Sequence, residues 1–551
     1  MSNFAPDNKK NDSIMDSIGF TNFRKFVTFS EIPFGDITIM VGGNNAGKST
    51  LVKAMLLMRD FLKSRIESVA NTSIFKSSVP QFSFDAEHVN VGDFYRAFCR
   101  QSPYAEDTIS FVMRIGKFHF SVDVRGERKP GIIPLVSKVA ITDNTRNASF
   151  TFDFNRNQMS AFFGIENKEE KQVFGGETEE VNKYMDRLHT VEEMKNRLSQ
   201  SSDLAEISEL KLQIENLEKE IEARKKTLRL TVKPVEEGAT IDMSHFLGDN
   251  IGKLVIPELV KGFVQYAWTG TLGDKRSQKY KNEEGKKAFL KGKAEIINEI
   301  AGELDSILNS HVIEYIYSHS VTQTPCYSNA TSSNDYATRT IHEFYRSRIS
   351  PGDEEFKIIE DGLKLFGIGD SLKVIPFLGD SYRVVVFDGE NPEITDEKDA
   401  GYPGGMDLAD KGMGSIQIIL LLLRLSTLAR KYKGLNLTIL LEEPEQNLHP
   451  ALQSKLADLV LSINKGYGVR FIIETHSEYL VRHIQVLSAQ IFKDGFDNTP
   501  FKVIYLTGDK DLPCYDMGFQ KNGKFEKEFG PGFFNVADDA AMELFDLDDE
   551  E

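Results

Sequence analysis

The chain has 551 residues, 83 of them acidic and 66 basic, for a formal net charge of −17; that length supports two or three domains, and that charge argues against nonspecific nucleic-acid binding except through a local basic patch. Cys99, Cys326 and Cys514 are too scattered for a disulfide framework or zinc site, which predicts a reducing compartment. The opening MSNFAPDNKKNDS has no apolar signal core, and the longest apolar run, Ile418 to Leu423, stops at Arg424, well short of a bilayer span; a cytoplasmic protein without membrane attachment is expected.

Residues 1–17 are polar and expected to be loose. Short β-like runs follow from Phe20 to Met40, the last an apolar strand over Ile37 to Val41, and a helix is predicted from Lys48 through LVKAMLLM. Alternation of apolar and polar residues predicts strands at Ile109 to Ile115, Phe118 to Val124 and Ser149 to Phe154. Together 18–172 read as the first part of an α/β head.

Composition changes near Glu177, beyond which the chain is charged, helical in pattern and free of proline to Leu230. Ile207, Leu210, Ile214, Leu217 and Ile221 recur at alternating three- and four-residue steps, a seam of about two heptads or ~20 Å. Met185, Leu188, Val191, Met194 and Leu198 offer a returning helix. Residues 173–230 are therefore expected to form a helical hairpin or short coiled coil, the alternative being one helix lying on the domain.

The stretch 231–370 reads as a mainly helical insertion, with Ala294 to Leu308 its clearest amphipathic segment and Thr322 to Asp335 a polar loop. Residues 371–535 read as the second part of the head. Strands are predicted at Leu372 to Pro376 and Tyr382 to Asp388, and the Gly/Asp-rich loop Gly401 to Gly414 leads into a helix. Strand and helix then alternate: Thr438 to Leu441, His449 to about Ile463, Val469 to Ile473, Ser477 to about Gln490, and Phe501 to Leu506. Such alternation predicts an α/β core assembled from both ends of the chain. An acidic tail, 536–551, closes the sequence.

The chemistry-bearing residues fall on these elements. Gly42, Gly43, Asn44, Asn45, Ala46, Gly47, Lys48, Ser49 and Thr50 satisfy the phosphate-loop pattern between a predicted strand and helix. In that pattern glycines let the backbone wrap phosphate, Lys48 reaches the β- and γ-phosphates, and the Ser49 hydroxyl is offered to Mg²⁺. The apolar strand at Thr438 runs into Glu442 and Glu443. Glu442 is placed to engage Mg²⁺ directly or through water, and Glu443 to polarise the attacking water. A lone histidine is ordinarily structural, but His476 ends the next strand, where its imidazole N–H can meet the γ-phosphate. The loop KGMGSIQ offers Gly412 and Gly414 for close backbone approach, with Ser415 and Gln417 heading a helix. On spacing alone it is a flexible loop with a helix cap.

With these residues in view, the chain resembles the ABC-type ATPases of the recombination, chromosome-maintenance and OLD groups over roughly 20–60 and 395–506. The resemblance implies that Gly42 to Thr50 is the Walker A loop, with Glu442 and Glu443 the Walker B acid and catalytic acid; glutamate stands at 442 where aspartate is usual. It further makes Asn447-Leu448-His449-Pro450 the D-loop and His476 the switch histidine. Gly412, Gly414, Ser415 and Gln417 become a diverged signature loop, which in such proteins completes a neighbouring subunit's ATP site; a dimer or higher oligomer is implied. Gln81 is a weak match to the Q-loop glutamine.

EEPEQNLHP and ETHSEYL narrow the likeness to the ATPase subunits of bacterial anti-phage systems, the Septu (PtuA) family and its retron-attached forms. That implies a separate HNH nuclease as partner, with a reverse transcriptase and its RNA–DNA in the retron form, and nucleic-acid contact through the complex. No nuclease is expected in the chain itself, because Asp509 to Asp511 and Asp546 to Asp548 lack a nuclease-sized domain around them. The alternatives are a DNA-repair or chromosome-maintenance ATPase, whose mark would be a long coiled-coil arm, and a scaffold that ATP stabilises.

Overall fold

The computed structural model describes residues 16–63, 68–69, 79–86, 89–103, 107–164, 236–242, 255–269, 278–317, 327–328, 335–377, 381–389, 405–510, 512–530 and 533–534, with isolated helical positions between Val191 and Lys219. Of residues 1–17, expected to be loose, 1–15 lie outside those residues, whereas Ser17 is buried at the start of a strand. The acidic tail and nearly all of 173–230 also lie outside them. Within that last stretch, Val191 and Ile214 are buried together, with Met194 and Leu217 packed against them.

The N-terminal strands are β1 (Ser17–Phe23), β2 (Phe26–Pro33) and β3 (Ile37–Gly42), followed by helix α1 (Lys48–Lys63). Then come β4 (Thr108–Ile115), β5 (Phe118–Arg125), β6 (Leu135–Asp143), β7 (Ala148–Asp153), β8 (Gln158–Gly164) and β9 (Glu236–Asp242). The middle supplies α2 (Ile256–Thr269), α3 (Ala294–Ser310), β10 (His311–Ile316), α4 (Tyr336–Ser347) and α5 (Lys357–Phe366). A small antiparallel pair, β11 (Ser371–Phe377) and β12 (Ser381–Phe387), precedes α6 (Met413–Lys431). The C-terminal elements are β13 (Asn436–Glu442), α7 (Lys455–Tyr467), β14 (Arg470–Glu474), α8 (Glu478–Lys493), β15 (Phe501–Leu506) and β16 (Cys514–Asp516).

Two sheets organise the head. Eight antiparallel strands run in the order β9-β8-β7-β6-β5-β4-β1-β2. Strict alternation in β4 and β5 buries Ile109, Phe111, Met113, Phe118, Phe120 and Val122 on one face, as expected of a sheet covered on one side. The other sheet runs β10-β13-β14-β3-β15-β16 and is parallel except for its last strand. Its β3 is buried at all six positions: Met40 joins the core beneath the antiparallel sheet, whereas Ile37, Ile39 and Val41 join the core under α6, α7 and α8. Burial on both faces requires the unbroken apolar run that the sequence shows. Helix α1 carries buried side chains around most of its circumference because it shares the core between the two sheets.

The ends of the chain therefore build one α/β head, with β3 from the N-terminal part lying between β14 and β15 from the C-terminal part. Besides the two-residue strand Tyr327–Ser328, which pairs with β12, two strands come from the stretch expected to be mainly helical. Glu236–Asp242 pairs with β8 at the edge of the antiparallel sheet, and His311–Ile316 pairs in parallel with β13. Both positions depend on partners distant in sequence, so local pattern did not distinguish them.

Helix α6 is long and apolar enough to cross a bilayer by length and composition, but its residues from Ile418 to Ala429 are buried in the protein core. Even Arg424 is nearly buried, paired with Glu343 and with Glu314 at 3.4 Å. A second ionic link joins sheet to helix: Arg146 donates to Asp143 at 3.0 Å and forks onto Glu303 of α3 at 2.8 and 2.9 Å.

Candidate nucleotide site

Parallel pairing sets the C-terminal ends of β13, β14, β3 and β15 along one edge, with Glu442 level with Glu474, Glu474 with Met40, and Gly42 with Leu506. Ligands bind at such edges because loops leave the strands there. The loop from Gly42 to Lys48 sits at this edge, and its glycines answer to their neighbours. A Cβ on Gly42 would stand 2.4 Å from the Leu506 carbonyl, and one on Gly47 would stand 2.3 Å from the Phe26 ring. Gly47 also has φ 113°, a conformation that side chains disfavour. Gly43, by contrast, has no atom within 4 Å of its would-be Cβ, leaving that side of the loop open.

Lys48 is 4% exposed and folds over the loop, donating from Nζ to the carbonyls of Gly42 at 2.9 Å and Gly43 at 3.2 Å. Burial pulls its pKa down, and the charges of Glu474, Glu443 and Glu445 oppose that fall. Ser49, on the first turn of α1, donates to Glu474 Oε1 at 2.9 Å. The sequence offers Glu442 to Mg²⁺, directly or through water; the Ser49 hydroxyl itself is met by Glu474, one strand nearer. Glu442 receives the Tyr315 hydroxyl, a contact that, after burial, keeps the phenol protonated.

Glu474 is 3% exposed, and its Oε2 has no hydrogen-bond partner. Burial raises its pKa to about 7, opposed by Ser49 and reinforced by Glu442. Sequence reasoning missed this residue, which appeared as the end of an apolar strand. An acid closing such a run was the available signal, since buried carboxylates are rare without a task.

Glu443 has φ 41°, and its N–H donates to the Glu474 carbonyl at 2.7 Å. The turn leaves the line of β13 and aims the carboxylate into the cavity, where Gln446 donates to Oε2 at 2.5 Å. His476 Nε2 stands 3.6 Å from Glu443 Oε1. Burial, then the Lys48 charge, lower the His476 pKa, so the ring is neutral near pH 7. Glu445 is buried and accepts the His476 backbone N–H at 2.7 Å; it shapes the turn. Ser477 caps α8 by accepting from the Leu480 N–H at 3.1 Å.

A cavity of about 920 Å³ opens over these groups, lined by Asn44 to Thr50, Glu443, Glu474 and His476. Its far wall was not foreseen: Arg24, Lys53, Arg96, Arg100 and Lys510 make it strongly basic, with Phe98 and Gln101 among them. Phe98, Arg100 and Gln101 are brought in by the short loop after Phe94–Ala97, which hydrogen-bonds to β1 and the turn after it through Arg24 to Ala97 and Cys99 to Asn22. Gln81 bridges Leu135 and does not line the cavity, whereas Gln101 does.

The loop containing Gly412, Gly414, Ser415 and Gln417 is absent from that lining. It packs against Asn447 and Leu448 of the same chain: Asn447 donates to Gln417 at 3.1 Å, and a Cβ on Gly414 would approach the Asn447 carbonyl to 2.8 Å. Gly414 is thus fixed by packing. Gly412 is exposed, caps α6 and has nothing within 4 Å of its would-be Cβ, so its backbone remains open to approach from outside.

All the donors near Ser49 are oxygens, the chemistry that suits a hard divalent cation. Among the described residues no group of three or more His, Cys, Asp or Glu side chains is disposed to hold a metal alone, so phosphate oxygens would have to supply part of the shell, as they do for Mg²⁺. Asp509 lies in the turn after β15, its N–H donating to Thr507 at 2.9 Å; Asp511, Asp546 and Asp548 lie outside the described residues.

Comparison with family models matches residues 14–481 to the AAA ATPase domain. Comparison with curated protein sequences finds no match. Among solved structures, the chain is similar to the Smc head domain with an extended coiled coil bound to the C-terminal domain of ScpA, from Pyrococcus furiosus, at 12% identity over 91% of this chain and 96% of that one, TM-score 0.30. It is also similar to the Smc head domain with a coiled coil and joint from Pyrococcus yayanosii, at 11% identity over 92% and 98%, TM-score 0.30. A third similarity is to the SMC head domain from Thermotoga maritima, at 9% identity over 90% and 96%, TM-score 0.29.

Proposed function

The chain belongs to the AAA ATPase domain family, and from that premise we propose that it is a nucleotide-gated clamp whose copies join through their ATP sites. It binds ATP and hydrolyses it. The observation carrying the proposal is the shared cavity in which Lys48, Glu443 and His476 converge from three separate strand ends.

In this reading the loop N–H groups and the N-terminus of α1 receive the phosphates, and Lys48 exchanges the Gly42 and Gly43 carbonyls for phosphate oxygens. Ser49, with a carboxylate from the strand ends beside it, would hold Mg²⁺, which neutralises charge on the β- and γ-phosphates. Glu443 accepts the proton of the attacking water, and neutral His476 donates a hydrogen bond to the γ-phosphate. The basic wall from Arg24 to Lys510 balances the remaining phosphate charge. Gly412, Gly414, Ser415 and Gln417 act on a second copy's nucleotide, because they lie outside their own cavity. Sedimentation of Glu443→Gln with and without ATP and Mg²⁺ tests the clamp: a larger species should form with nucleotide, and identical profiles would contradict it.

The family assignment fits a DNA-repair or chromosome-maintenance ATPase, which requires no more than ATP-driven joining and release of heads. A second reading rests on EEPEQNLHP and ETHSEYL: the ATPase of a cytoplasmic anti-phage complex that positions a separate HNH nuclease, with a reverse transcriptase and RNA–DNA in the retron form. Co-purification followed by mass spectrometry separates the two. A bound HNH protein supports defence, whereas chromosomal DNA without a nuclease supports maintenance.

A further inference from the structure

We infer that Glu474 is the protein carboxylate that binds the nucleotide's divalent cation beside Ser49, with Glu442 outside the first coordination sphere. The inference rests on the ATPase reading above and assigns a residue that the motif pattern leaves unassigned. Three observations lead to it.

Ser49 Oγ and Glu474 Oε1 are 2.9 Å apart. Octahedral Mg²⁺ takes its ligands at about 2.0–2.1 Å, which puts adjacent ligand oxygens about 2.9 Å from each other. Both atoms can therefore become neighbouring ligands without moving: the hydroxyl turns its proton away from the carboxylate, and the cation takes the vacated contact.

Glu474 is also nine-tenths buried and more, yet its Oε2 has no partner. A buried acceptor left unsatisfied costs about 1–3 kcal/mol, and beside a phosphate-binding loop a cation is an occupant that removes that cost. The Glu442 carboxylate, in contrast, already holds the Tyr315 hydroxyl.

Finally, Glu442 and Glu474 are directly paired in register on adjacent parallel strands, so their side chains leave the same face of the sheet. Like charges in that relation repel. Lys53 feels both carboxylates as a single positive charge, and a divalent cation at Glu474 would relieve the repulsion more fully.

The test is Mn²⁺ binding to the full chain at saturating ATP, read by electron paramagnetic resonance, with thermal unfolding to show that each variant is folded. Glu474→Gln keeps the shape of the side chain and should weaken Mn²⁺ at least about tenfold, whereas Glu442→Gln should weaken it less. Wild-type Mn²⁺ affinity in Glu474→Gln, or a larger loss in Glu442→Gln, overturns the assignment. Wild-type protein that shows no ATP-dependent Mn²⁺ signal overturns the ATPase reading itself, a result distinct from either.

Discussion

Glu443 turns out of strand β13 with φ 41°, and its N–H is held by the Glu474 carbonyl on the neighbouring strand at 2.7 Å. A non-glycine residue in that region is strained by about 1–2 kcal/mol, a cost tolerated where surroundings fix it and function uses it. Here the strain sends the carboxylate into the cavity beside His476. Glu443→Gln preserves the turn and removes the base, so single-turnover hydrolysis should slow about 10²–10⁴-fold with ATP affinity retained. Unchanged turnover would remove Glu443 from the reaction.

Lys48 spends its hydrogen bonds on two loop carbonyls that phosphate oxygens would replace. A hydrogen bond to a charged group contributes about 1.5–3 kcal/mol, so Lys48→Ala should raise the Kd for ATP about 10- to 150-fold. Isothermal titration measures this directly.

The two loop glycines should respond differently to a methyl group. Gly47→Ala meets the Phe26 ring and a positive φ, and should destabilise the protein by more than about 1 kcal/mol. Gly43→Ala enters open space and should change stability by no more than about 0.5 kcal/mol. Denaturant midpoints of the two variants make the comparison.

The Asp143–Arg146–Glu303 link sets an acid limit. Arg146 pulls the Glu303 carboxyl down to about 2. Burial would raise Asp143, but Thr145 and Arg146 outweigh it and leave its pKa lowered. Lowered carboxylate pKa values contribute stability above the unfolded values of 3.8 and 4.5 that is lost as pH falls through the folded ones. Stability should therefore decline below about pH 4.5, and Asp143→Asn should lose about 1.5–3 kcal/mol at neutral pH and show a shallower acid dependence. A urea series across pH checks both.

The parts of the site visible in the sequence are those fixed by local chemistry. The Walker A glycines, Lys48 and the acids ending an apolar strand each carry their reason within a few residues. Alternation likewise disclosed β4, β5 and β7. What stayed hidden depends on register and distant packing. Glu474 matters because β14 lies between β13 and β3, an order that no local pattern states. The same holds for Phe98, Arg100 and Gln101, delivered by a loop hydrogen-bonded to β1 and its turn, and for β9 and β10, whose partners are remote.

If one copy's Gly412–Gln417 loop completes another copy's ATP site, two inactive variants should complement each other when mixed. Lys48→Ala lacks the phosphate contact, and Ser415→Arg blocks the open loop. In a mixed dimer one site carries both lesions and the other carries none. Random pairing should then restore about a quarter of wild-type turnover. Turnover of the mixture no greater than the sum of the separate variants would show that the loop does not act across copies.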